Sequence, residues 1–187
     1  PNNPQEGWLS IVTRCPHHET NAARLVEIWS TLEHNTQHPE RPVVHMLCTE
    51  MEYTAFHTIL DKYKVIVHRI PHDSTYEDLF DVAASIDGIK MVVNSDISLH
   101  EGIEYIPSVV DDEHALALSR HASDAMCLHK NVSKSPGNDQ CLHYVGSHDA
   151  FVFSGTLDIG HLLKGIFPHY WGSENVVLYE LTKVRKV

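Results

Sequence analysis

The chain has no apolar run near the roughly 20 residues that a membrane-spanning helix requires; Val43 to Cys48 and Lys90 to Val93 with its flanks are far shorter. No transmembrane helix is expected. Basic residues are also scarce, with 14 Lys and Arg against 25 Asp and Glu, a formal net charge of −11. That balance opposes attraction to phosphate backbones and anionic lipid surfaces, so a nucleic-acid polymer is not the expected partner. A small anionic ligand such as a nucleotide remains admissible, because a divalent cation and a few basic groups neutralise it locally. The start, Pro1-Asn2-Asn3-Pro4, carries neither an initiator Met nor the basic and apolar regions of a signal peptide. The expectation is a soluble cytoplasmic protein, or a soluble domain of a larger one.

Cysteine is sparse too. Cys15, Cys48, Cys127 and Cys141 form no C-x-x-C pair, and Cys15 and Cys48 read as strand residues packed as small hydrophobes, which favours a reducing compartment. Asn131-Val132-Ser133 satisfies the glycosylation sequon, a triplet that matters only in a secreted protein. No G-x-S-x-G elbow is present, which disfavours Ser-His-Asp hydrolysis. Histidine is abundant instead, at 16 residues, with His17-His18, His143, His148, His161 and His169 as the candidates for metal chemistry. Yet no H-E-x-x-H pair occurs, and adjacent His17 and His18 point apart in any regular element. Most are read as surface or capping residues, with His148 or His169 the exceptions able to reach a metal.

The 187 residues suit one domain, and 42% hydrophobic with 21% charged residues is a globular mixture. Trp8 to Arg14 is a β-branched-rich strand, and Thr20 to Leu32 places Ala23, Leu25, Val26, Ile28, Trp29 and Leu32 at helical spacing. Val43 to Thr49 is a second strand, and Glu50 to Tyr63 a second helix with Met51, Phe56, Ile59, Leu60 and Tyr63 on its stripe. Lys64 to Ile70, Tyr76 to Ile86 and Ile89 to Asn94 read as strand, helix and strand. Such alternation predicts parallel strands with right-handed helical crossovers, an α/β layer of the nucleotide-binding type. Past residue 96 the pattern changes. Ala115 to Arg120 and His148 to Ser154 read as short strands around the loop Lys130 to Gln140, and Leu157 to Gly165 and Glu174 to Val184 as helices around the aromatic loop Phe167 to Ser173. Val177, Leu178 and Leu181 are the inward residues of the last helix.

Ligands of open α/β sheets gather at the carboxyl ends of the strands. Four segments lead there: Thr13 to His18, Thr49-Glu50, His72-Asp73 and Asn94-Ser95-Asp96. The last carries the most chemistry, because an apolar strand ending in a carboxylate can hold Mg²⁺ or Mn²⁺ against a diphosphate, with phosphate oxygens and water completing the coordination. The bland alternative for Asp96 is an Asx-turn or a helix cap. A second group comprises Leu118-Ser119-Arg120, Gly146 to Phe153 and Tyr170 to Asn175. There Asp149 suits a general base facing an acceptor hydroxyl, or a plain turn residue, and Glu174 reads as a first-turn acid favoured by the helix dipole.

In that order, Asn94-Ser95-Asp96-Ile97, Leu118-Ser119-Arg120, Ser147 to Phe153 and Gly172-Ser173-Glu174-Asn175 resemble the blocks of GT-A-fold glycosyltransferase-like proteins of the small algal and large-DNA-virus type. The resemblance runs over nearly the whole chain. It implies a GT-A-like fold with a mostly parallel central sheet flanked by helices, residues 1–96 forming a nucleotide-binding half and 97–187 an acceptor-binding half. It also implies a metal-dependent, inverting transfer from a nucleoside-diphosphate sugar, UDP-sugars foremost, to a glycan or glycoprotein hydroxyl. The family's D-x-D tripeptide binds Mn²⁺ or Mg²⁺; here Asn94 takes the first position, leaving Asp96 as the main ligand with His148 as a second. Thr13, Arg14, Thr49, Asn94, Ser95 and Arg120 would line the donor site, Asp149 would be the catalytic base, and Trp171 and Glu174 would hold sugar or acceptor. The alternatives are a GT-A-like module that binds nucleotide or glycan without turnover, and a metal-dependent hydrolase using the histidines.

Overall fold

The computed structural model describes residues 7–16, 21–119 and 148–187. Among them, strands β1 (Leu9–Arg14), β2 (Val43–Cys48), β3 (Ile66–Arg69), β4 (Ile89–Val93), β5 (Leu116–Ser119) and β6 (His148–Phe153) form one six-stranded sheet in the order β3-β2-β1-β4-β6-β5. β1 to β4 run parallel, while β6 pairs antiparallel with both β4 and β5. The expected α/β architecture, mostly parallel and flanked by helices, is what the chain adopts.

Among the described residues four helices cover the sheet: α1 (Ala22–Thr36), α2 (Glu50–Lys62), α3 (Tyr76–Ala84) and α4 (Ser173–Val184). Alternation of side chains along the strands decides which face each covers. Leu9, Ile11, Met46, Met91, Val93, Ala150 and Val152 pack with Leu32 of α1 and Leu60 of α2 on one face. Val12, Leu47, Val92, Phe151 and Phe153 pack with Leu79 and Phe80 of α3 and Val177 and Leu181 of α4 on the other. α1, α2 and α3 start where a side chain satisfies their first N–H groups. Asn21 accepts from Ala23 and Arg24, and Thr49 and Thr75 form capping boxes with Glu52 and Asp78. Gly172 precedes α4 at φ +80°, a left-handed conformation that suits glycine and sets where Ser173 and Glu174 enter the helix.

Several boundaries differ from the sequence reading. α1 extends to Thr36, because Asn35 is buried and bonds forward to Leu99 N and Ile97 O. Val26 and Met51, assigned to apolar stripes, are exposed at 64% and 61%, since the sheet accepts only the narrower stripes centred on Ile28 with Leu32 and on Leu60. The helix expected over Leu157–Gly165 is only the 3-10 turn Gly160–Leu163, and a further 3-10 helix, Ile103–Ser108, had no periodic signal. Cys15 and Cys48 are free and buried, as small hydrophobes would be. Among the described residues no helix is long and apolar enough to cross a membrane.

Candidate functional site at the carboxyl edge of the sheet

Chain reversal after β4 builds the centre of the site. Ile97 N donates to Asn94 O at 3.2 Å, closing a turn that contains Ser95 and Asp96. Helix α1 grips that turn from one face: the Asn35 amide donates to Ile97 O at 3.0 Å, and Arg24 Nη2 donates to Asp96 Oδ2 at 2.6 Å. The Asp96 side chain is 13% exposed and Arg24 36%, so the carboxylate is the more enclosed partner. Arg24 Nη1 also reaches Glu27 Oε2 at 2.6 Å. Hydrogen bonds to two carboxylates raise the Arg24 pKa against the opposing effect of burial, which is the largest single influence. Asp96 is therefore neither an Asx-turn nor a helix cap; its carboxylate answers an arginine 72 residues away.

The opposite face of the same edge belongs to Asp149. In the β4–β6 register Val93 faces Ala150, and the pairing continues one residue further, where Asn94 N donates to Asp149 O at 3.1 Å. The Asn94 amide Nδ2 then donates to Asp149 Oδ1, also at 3.1 Å. Asp149 is 7% exposed. Two segments separated by more than fifty residues, Asn94-Ser95-Asp96 and His148-Asp149, are thus joined side chain to side chain. Tyr76, at the start of α3, feels Asp149 from one side and Ser173 and Glu174, at the start of α4, from another. Burial foremost, then the negative charges of Glu174 and Asp149, push the Tyr76 hydroxyl pKa far up, so this phenol stays protonated.

Arg14, at the end of β1, donates to Asp73 at 3.5 Å, and His169 Nδ1 lies 3.9 Å from the other Asp73 oxygen. Asp73 so ties the loop before α3 to β1 and to the aromatic segment Phe167–Ser173, where His169 packs edge-on against Tyr170 at 4.5 Å. Trp171 is fully exposed beside this cluster. Thr13 is buried, and its hydroxyl has no hydrogen-bond partner among the described residues. Thr49 is occupied as the cap of α2, its N–H and hydroxyl both donating to Glu52. Next to it the Cys15 thiol is held well above its usual pKa, by its hydrogen bond with Cys48 first and by burial second.

The residues named from sequence therefore separate into groups. Asn94, Ser95, Asp96 and Asp149 come together at one edge, with Arg14 and Glu174 on the Asp149 side and Trp171 open beside them. Arg120, His17, His18, His143, the sequon and Cys127 and Cys141 lie outside the described residues. Two functional candidates escaped the sequence reading, Arg24 and Tyr76. Both sit in the first turn of a helix that follows a carboxyl-end loop, and that position was the available signal.

No group of three or more His, Cys, Asp or Glu side chains that could hold a metal occurs among the described residues. The turn nevertheless offers hard oxygen donors. Asp96 Oδ1 takes no hydrogen bond among the described residues, and the Asn94 amide nitrogen is turned to Asp149, which leaves its carbonyl oxygen for another partner. Such a set fits Mg²⁺ or Mn²⁺ with phosphate and water oxygens supplying the remaining positions, and does not fit a metal held by protein alone.

No family model matches the chain, and no curated protein does. Among solved structures, a cytidylyltransferase from Leptospira borgpetersenii serovar Hardjo-bovis superposes with a TM-score of 0.55 at 18% identity, over 97% of this chain and 73% of that one. At that identity the likeness establishes the fold alone, an α/β architecture with a mostly parallel central sheet. A second structure, a 4-diphosphocytidyl-2C-methyl-D-erythritolsynthase from Anaerococcus prevotii, reaches a TM-score of 0.44 at 15% identity over 63% of this chain and 57% of that one, too low to carry further argument.

Proposed function

We propose that the chain is a metal-dependent glycosyltransferase, moving a sugar from a nucleoside-diphosphate donor, a UDP-sugar foremost, to an acceptor hydroxyl. The observation that supports this reading is the direct link between Asn94 and Asp149, which joins the Asn94-Ser95-Asp96 turn to a buried carboxylate on one sheet edge. A divalent cation bound at Asp96 would supply positive charge to the leaving diphosphate. Asp149 takes the proton of the acceptor hydroxyl as it attacks, and Asn94, by donating to Oδ1, fixes the orientation of that carboxylate. Tyr76, protonated and close by, helps hold the base in place. Arg14 and Thr13 line the end of β1 for the nucleotide, and Trp171 with Glu174 offers an aromatic face and an acceptor for sugar hydroxyls. Arg120 would complete the donor site, and His148 would assist at the metal.

The cytidylyltransferase likeness favours a second reading, nucleotidyl transfer from a nucleoside triphosphate. Charge argues for the first. Asp149 and Glu174 both bear on Tyr76 at this edge, and two carboxylates there disfavour a phosphate acceptor more than a neutral hydroxyl. The two readings separate in one assay, in which the protein is incubated with Mn²⁺ and either a panel of UDP- and GDP-sugars or CTP with sugar phosphates. Nucleoside diphosphate release abolished by EDTA supports glycosyl transfer. Pyrophosphate release supports nucleotidyl transfer. Binding without release of either marks a non-catalytic module, and phosphoester cleavage a hydrolase.

A further inference from the structure

The carboxylate assigned to the cation already has one. Arg24 Nη2 lies 2.6 Å from Asp96 Oδ2, a short charge-assisted contact in which Asp96 is largely enclosed. Leaving Asp96 unpaired would strand a mostly buried charge, so Arg24 departs only when another cation takes over. Its own departure is easier, because the guanidinium is more exposed and Glu27, one turn along α1, holds it through Nη1 at 2.6 Å. The remaining guanidinium donors suit phosphate oxygens in fork geometry.

We propose that Arg24 is a cation gate. It blocks bare divalent metal from Asp96 and swings onto the diphosphate when nucleotide arrives, so that metal and nucleotide enter together. This rests on the reading of Asp96 as the metal-binding carboxylate. Glu27 serves as the tether that keeps the guanidinium at the site during the exchange.

The test is a Mn²⁺ titration of the whole chain, followed by water proton relaxation, with and without UDP, for wild type, Arg24→Gln, Arg24→Lys and Asp96→Asn. An opposite charge this close shifts a carboxylate's affinity for protons by one to three decades, and a competing metal should feel a comparable effect. Arg24→Gln should therefore bind bare Mn²⁺ about tenfold or more tightly than wild type. It should also lose most of the enhancement that UDP gives the wild-type protein. Arg24→Lys, which keeps the charge, should stay near wild type and guards against a folding artefact in Arg24→Gln. Equal or weaker bare Mn²⁺ binding by Arg24→Gln, with wild-type binding still abolished in Asp96→Asn, overturns the gate and leaves the metal site standing. Tight binding by Arg24→Lys also overturns it, since charge would not be the cause. Mn²⁺ binding that is indifferent to Asp96→Asn in every arm overturns the metal-site reading, and the gate with it.

Discussion

Asp96 and Asp149 occupy the same edge of the same sheet, yet the fold neutralises them in different ways. Asp96 faces α1 and answers a full positive charge, Arg24, at 2.6 Å; Asp149 faces α3 and α4 and accepts from the Asn94 amide at 3.1 Å. An arginine partner marks a carboxylate whose negative charge is to be kept, and which exchanges one cation for another. A hydrogen bond from a neutral amide such as Asn94 orients a carboxylate without adding charge. In the proposed mechanism Asn94 serves the base, so an amide in the first position of the turn is compatible with chemistry there. An aspartate in its place would set two carboxylates against each other.

The sharpest way to break this contrast is to neutralise each carboxylate separately. Asp149→Asn should lower turnover by about 10²- to 10⁴-fold while nucleotide binding persists, measured by single-turnover kinetics beside equilibrium binding. Asp96→Ala should abolish metal-dependent nucleotide binding without unfolding the domain, since Arg24 keeps Glu27 as a partner; calorimetric titration with a circular dichroism melt reports both quantities.

Acid tests whether the pH response belongs to the site or to the fold. His45 of β2 is 8% exposed and hydrogen-bonded to His68 of β3 at 3.0 Å. Burial first and the neighbouring His68 second bring its pKa down to about 4, and burial lowers His68 as well. A histidine held below its unfolded value binds fewer protons folded than unfolded, so stability is complete above about pH 6.5 and is lost as the pH falls toward 4. The loss should be on the order of 3 kcal/mol by linkage. In denaturant melts at several pH values, His45→Phe should flatten that acid limb, and an acid limb unchanged by the substitution would move the response elsewhere.

The smallest expected effect is at Tyr76. Removing its hydroxyl by Tyr76→Phe should change stability by no more than about 1 kcal/mol. If Tyr76 positions the base, the same variant lowers kcat with KM nearly unchanged and shifts the pH profile, whereas a purely structural tyrosine would leave the profile alone.

The first half of the fold was legible because each βα unit pairs an apolar β-branched strand with apolar residues at helical spacing. Thr49 with Glu52 and Thr75 with Asp78 are local signals, three residues apart. The rule that ligands gather at strand carboxyl ends led to Asn94-Ser95-Asp96 and to Asp73 without any knowledge of contacts. What could not be read was pairing at a distance. Arg24 meets Asp96 across 72 residues and Asn94 meets Asp149 across 55, and nothing in the composition of either segment encodes its partner. The 3-10 helix Ile103–Ser108 was equally silent, being short and interrupted by Pro107. Its place is set by the buried Asn35, which holds the chain leading into it.

A crystal structure of the protein with UDP and Mn²⁺ tests the central claim most directly. The account predicts the cation on an Asp96 oxygen with diphosphate oxygens beside it, Arg24 drawn from Asp96 to phosphate, and Asp149 still bonded to Asn94 and facing open space for an acceptor. Nucleotide bound away from the turn after β4, with the Arg24–Asp96 pair intact and no cation on Asp96, would contradict it.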